Sequence, residues 1–113
     1  VDFIQKETHA DGIISTKPAL IKRAKELSLL AVQRFFVIDS LSLQNVKKIR
    51  EDCKPDFVEI LPGVMPKIIC RISREIKTPI IAGGLINDKE DIILALKNGA
   101  VAISTTNPSV WFL

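Results

Sequence analysis

DFVEILPGVMPKII (residues 56–69) contains a complete strand-to-helix passage. Phe57, Val58, Ile60 and Leu61 suit a buried strand. Pro62-Gly63 breaks it, and Pro66 suits the first turn of a helix, where a missing N–H costs nothing. Working outward, four more short β-branched runs begin near Asp11 (DGIIST), Leu30 (LAVQRFF), Pro79 (PIIAGG) and Ala100 (AVAISTT). With the run at Asp56, the starts are spaced by 19, 26, 23 and 21 residues, room each time for one strand and one helix. Such spacing predicts parallel strands joined by right-handed crossovers.

The intervening stretches carry helical punctuation. Pro18 opens the first, with Leu20, Ala24 and Leu27 expected on its buried face. The second stripes Leu43, Val46, Ile49 and Cys53, and Asp39 is placed either to cap it or to serve the rim. Met65, Ile69, Ile72 and Ile76 form the buried stripe of the third, while Lys67, Arg71 and Arg74 share another face. The fourth is expected to begin at an Asn87 cap, with Glu90 completing a capping box, and to stop at Asn98-Gly99.

The strands are apolar where they start and polar or glycine-rich where they end. In a parallel α/β fold those ends share one rim, where ligands bind. On it, Gly83-Gly84 and the run Ser104, Thr105, Thr106 and Asn107 resemble the two halves of a phosphate cradle. Glycine turns let backbone amides approach an anion, and a helix start, expected over residues 108–112, would add its dipole. Alternation sends either Gln33 or Arg34 to the interior and puts Glu59 on the side of Phe57 and Leu61. Arg34 and Glu59 are therefore candidate interior polar contacts, as an ion pair or as ligand groups. Lys17 follows the rim residues Ser15 and Thr16, whereas His9 precedes the first strand and reads as a surface residue.

Composition narrows the functional classes. The chain has 113 residues, is 47% hydrophobic and carries a net charge of +3. That suits one folded domain over residues 1–113 with a buried core. Its apolar runs fall short of the roughly 20 residues a membrane helix needs. Cys53, Cys70 and His9 lie too far apart in sequence for a CxxC or zinc motif, so no metal or cofactor is expected. The cysteines read as core residues of a reducing cytoplasm. No Ser/His/Asp set, Cys/His pair or carboxylate dyad assembles from rim positions, which argues against hydrolytic or nucleophilic catalysis. Basic residues crowd the helices, and Lys67, Arg71 and Arg74 are candidate contacts for RNA phosphates. A solvated amphipathic face would show the same stripe.

Taken together, DGIIST, QRFFVIDS, DFVEILPGVMPKII, PIIAGGLI and AVAISTTN followed by Trp111 resemble the glycerol-3-phosphate-responsive antiterminators of bacterial glycerol catabolism. The resemblance implies a TIM-type (β/α)₈ barrel that senses glycerol 3-phosphate and binds leader mRNA, so that transcription passes a terminator. It implies a phosphate held by Gly83, Gly84, Thr105, Thr106 and Asn107, with Arg34 and Glu59 as interior contacts. The five strands would then be the fourth to eighth of the barrel, with three N-terminal units expected upstream of Val1. The competing expectation is a barrel enzyme acting on a phosphorylated substrate, of sugar-phosphate isomerase or lyase type, and a third is an inert incomplete barrel. An enzyme would need an acid/base pair or a Schiff-base lysine at a strand end, and no strand here contains a lysine. The RNA, the oligomeric state and the surface that meets RNA are not determined by these residues.

Overall fold

Each apolar run forms a strand, and each proline- or aspartate-initiated stretch forms a helix. The computed structural model describes residues 1–111. The order is α1 (Asp2–Glu7), β1 (Gly12–Ser15), α2 (Pro18–Glu26), β2 (Leu30–Phe36), α3 (Ser40–Cys53), β3 (Phe57–Leu61), α4 (Pro66–Glu75), β4 (Ile80–Gly83), α5 (Lys89–Lys97) and β5 (Ala100–Ser104). A 3₁₀ turn (Pro108–Val110) follows. The strands form one sheet in the order β1-β2-β3-β4-β5, with every neighbouring pair parallel.

Pleating divides the strand residues between two faces. Val58 and Ile60 of β3, Phe35 of β2 and Ile80 and Ala82 of β4 are buried with Ile69 and Ile72 of α4 and Val46 of α3. A smaller cluster joins Ile21 and Ala24 of α2 to Ala31 and Cys53. Fully burying a branched aliphatic side chain stabilises the fold by about 1.5–3 kcal/mol, so these residues hold the helices to the sheet. The other side chains of β2 and β3 fall on the opposite sheet face, which carries Arg34 and Glu59. There Ile14, Leu30 and Phe36 remain 51%, 49% and 56% exposed.

Local chemistry moves some expected boundaries. Asp39 caps α3 by accepting a hydrogen bond from Ser42 N–H, and Ser42 Oγ accepts in return from Asp39 N–H. The bond from the Ser42 backbone, with its hydroxyl, holds the Asp39 carboxyl below the usual carboxylate range. The cap of α5 is Asp88 rather than Asn87: its carboxylate accepts from Asp91 N–H, and Asp91 accepts from Asn87 N–H. The cap thus sits one residue later than expected and without the capping box, since Asp91, not Glu90, reaches back, and it meets the amide before the cap. On α2, Ile21 rather than Leu20 is buried beside Ala24, and Leu20 is 38% exposed. Successive helical residues lie about 100° apart, so the sheet contact centred on Ile21 and Ala24 leaves Leu20 to the side.

Candidate functional site at the rim of the sheet

Register brings the polar interior residues together. Arg34 and Glu59 are direct partners across β2 and β3, and Arg34 Nε donates to Glu59 Oε1 at 2.5 Å. Glu59 is 1% exposed, whereas the Arg34 side chain is 36% exposed. Gln33 occupies the helix-facing side and donates to the Thr16 carbonyl at 3.0 Å. Arg34, not Gln33, is therefore the residue on the face with Glu59.

Diagonally across from Glu59, two residues past its partner Ile81, β4 has no side chain at Gly83. A Cβ on Gly83 would lie 2.9 Å from Glu59 Oε2, so the carboxylate occupies the space that glycine leaves. Past the strand, Gly84 takes φ +80° and Leu85 φ +59°. The left-handed region is easy for glycine and unfavourable for leucine. Gly63 braces this loop from the neighbouring strand end, donating its N–H to the Gly84 carbonyl at 3.0 Å.

The loop after β5 approaches from the other side. Thr105 Oγ1 donates to the Ile86 carbonyl and accepts from Asn107 N–H, and the Trp111 indole donates to the Thr105 carbonyl. Asn107 Oδ1 accepts from both Ser109 N–H and its hydroxyl. These bonds tie the β4 and β5 loops together and occupy side-chain groups that sequence reasoning assigned to phosphate. Ser104 and Thr106 remain as hydroxyl donors lining the cavity. The described helix start comprises only the 3₁₀ residues Pro108–Val110, too short for an appreciable macrodipole; Phe112, within the expected helix, lies outside the described residues.

Between the loops is a cavity of about 360 Å³, lined on one side by Arg34, Glu59, Leu61 and Gly84 and on the other by Ser104, Thr105, Thr106 and Asn107. Of the expected site residues, Gly83 alone stands behind the lining, against Glu59. Leu85, Ile86 and Asn87 also line the cavity. Sequence reasoning missed them, since Leu85 and Ile86 are ordinary apolar residues and Asn87 resembled a helix cap. The signal that could have found them was their position immediately after Gly83-Gly84. Arg34 is the only cation and Glu59 the only carboxylate among the described lining residues.

Lys67, Arg71 and Arg74 lie elsewhere, on the outer side of α4. With Cys70, Glu75 and Asn98 they line a surface cleft of about 490 Å³, and Arg71 bonds Glu75 at 3.3 Å. His9 and Lys17 are exposed. No described helix is long and apolar enough to cross a membrane.

A parallel α/β domain with an open cavity at its C-terminal rim belongs to the broad class in which ligands bind at strand ends. The comparisons specify the family. Residues 1–111 match the glycerol-3-phosphate responsive antiterminators, and the chain belongs to that family. It is 44% identical to the uncharacterized protein YgcP of Escherichia coli (strain K12) across 100% of this chain and 59% of that protein. The solved glycerol uptake operon antiterminator regulatory protein of Listeria monocytogenes superposes with TM-score 0.94 and 37% identity, covering 98% of this chain and 60% of that one. A glycerol uptake operon antiterminator-related protein of Thermotoga maritima gives 0.82 and 36%, covering 96% and 61%. The chain thus spans about three fifths of the length of these relatives. Likeness of fold alone extends to an N-acetylmannosamine-6-phosphate 2-epimerase of Clostridium perfringens, at TM-score 0.74 and 20% identity over 92% of this chain and 52% of that one.

Proposed function

We propose that this chain forms the effector-sensing part of a cytoplasmic transcription antiterminator that binds glycerol 3-phosphate and, in response, the leader mRNA of a glycerol catabolic operon. The observation that carries the reading is the cavity uniting the Gly84 turn with the Ser104, Thr105 and Thr106 loop. Backbone amides and hydroxyls converging at strand ends suit a phosphate. In this reading the five strands are the fourth to eighth of an eight-stranded barrel, and the open sheet face is the barrel interior. Membership of a regulatory family supports antitermination over catalysis. So does the state of Glu59, which is the only described carboxylate in the cavity and is engaged by Arg34. The outer stripe of Lys67, Arg71 and Arg74 is the proposed RNA-facing surface.

Calorimetric titration of the intact protein with glycerol 3-phosphate and with glycerol tests the effector assignment. Tighter binding of the phosphorylated ligand is expected. Equal affinity, or no binding of either, would overturn it.

A further inference from the structure

The proposed phosphate site leaves unexplained the carboxylate at its inner wall. Glu59 is 99% buried by side-chain area, its Oε1 is taken by Arg34, and its Oε2 lies against the bare Cα of Gly83 beside the cavity. A carboxylate has about four acceptor positions and, while ionised, no hydrogen to donate. A buried one requires donors. Arg34 supplies one bond to Oε1, and among the described residues no side-chain bond reaches Oε2.

We infer that Glu59 determines ligand specificity: its Oε2 accepts from a hydroxyl of the bound phosphoester, and its charge rejects phosphoesters whose other end is a carboxylate. This rests on the cavity being a phosphoester site and assigns to one residue the reading of the ligand's hydroxyl end. The cavity is polarised. Its outer loops bring the Ser104 and Thr106 hydroxyls and the Gly84 turn to the cavity, while Glu59 repels an anion, so the ligand enters with its phosphate at Gly84 and Thr106 and its hydroxyls toward Glu59. Arg34 engages Oε1 alone, so the pair weakens the field felt by a phosphate further out while Oε2, facing the ligand's other end, keeps its acceptor and its repulsion of a carboxylate at close range. Gly83 keeps Oε2 in place, because a side chain there would fill its position.

Glu59→Gln separates this role from a structural one. The amide oxygen can still accept from Arg34, while the second atom changes from acceptor to donor in nearly the same volume. The test is calorimetric titration of the intact wild-type protein and the variant with glycerol 3-phosphate, propyl phosphate, 3-phosphoglycerate and inorganic phosphate. A hydrogen bond to a charged group corresponds to roughly a tenfold to hundredfold preference. Wild type should therefore favour glycerol 3-phosphate over propyl phosphate by about that factor and reject 3-phosphoglycerate. In the variant the preference should fall to a few-fold, and 3-phosphoglycerate should gain binding relative to propyl phosphate. Should the variant not fold, the wild-type series still decides. Equal wild-type affinity for glycerol 3-phosphate and propyl phosphate, or tight binding of 3-phosphoglycerate, overturns the role of Glu59 while leaving the phosphate site standing. If no phosphorylated ligand binds, the phosphoester reading itself fails and this inference with it.

Discussion

Glu59 and Gly83 are complementary across neighbouring strands: the carboxylate of one occupies the place where the other has no side chain, 2.9 Å from where a Cβ would sit. The contact joins the Arg34–Glu59 ion pair of β2 and β3 to the glycine loop that ends β4. Gly83→Ala would bring the new methyl within 3.2 Å of the Glu59 carboxyl carbon as well. Overpacking of this kind should destabilise the domain by about 1–3 kcal/mol. Urea denaturation checks this, and a double-mutant cycle with Glu59→Ala should be strongly non-additive. Additive effects would place the cost elsewhere.

Gly84→Val tests the outer half of the cavity. Gly84 has φ +80°, and its Cβ would lie 3.3 Å from Leu61 Cδ2. A branched side chain there should cost about 1–2 kcal/mol in backbone strain alone. The fold should survive with a lower Tm, while affinity for glycerol 3-phosphate falls at least tenfold. Unchanged affinity by calorimetry would remove the Gly84 turn from the site.

At the opposite end of the sheet, Asp56 joins three elements. Its carboxylate accepts from Lys25 of α2 at 2.7 Å and from the Ala31 N–H of β2 at 2.8 Å. Burial pushes this carboxyl up, but the Lys25 ammonium and the Ala31 N–H outweigh burial and hold it below its ordinary range. A carboxyl lowered by folding stabilises the folded state above its unfolded pKa, about 3.9, and loses that contribution as pH falls through the lower folded value. Asp56→Asn should therefore cost about 1–2 kcal/mol at neutral pH, with the difference from wild type shrinking below pH of roughly 4. Chemical denaturation across this range provides the measurement, and a pH-independent difference would rule out the charge as its source.

Exchanging Lys67, Arg71 and Arg74 for Glu should weaken leader-RNA binding by the intact protein without altering effector affinity. Every RNA phosphate that the variant no longer neutralises should make the slope of log affinity against log salt shallower by roughly 0.7–0.9. Gel-shift titrations at two salt concentrations measure both quantities. Unchanged affinity and slope would move the RNA surface away from α4.

Among the described residues, Ile14, Leu30 and Phe36 are exposed on one sheet face, and β1 and β5 form its edges with no further strand beside them. Open strand edges and apolar patches promote association. Size-exclusion chromatography of this chain should show concentration-dependent self-association, reduced by Phe36→Lys. Elution as a monomer at all concentrations would contradict the expectation.

Much of the fold was legible because its signals are local. Runs of β-branched residues, proline at helix starts and glycine at chain reversals fix backbone preferences over a few residues, so five strands and the helices between them follow from the sequence alone. The same is true of the polar strand ends of Gly84, Ser104 and Thr106, and of the family. Tertiary structure decided what depends on register and on competition for hydrogen bonds. Alternation left open whether Gln33 or Arg34 faces the sheet interior; pairing of β2 with β3 set Arg34 opposite Glu59 and placed Gln33 beneath the helices. Thr105 and Asn107 line the cavity as expected, but only the fold brings the Ile86 carbonyl, 19 residues earlier, to accept from the Thr105 hydroxyl. The need for glycine at position 83 also emerged only there, since it comes from a carboxylate 24 residues earlier in the chain. Sequence specifies each residue's own conformational options, whereas the partner that occupies its donors, acceptors and empty space is chosen by strands that meet only after folding.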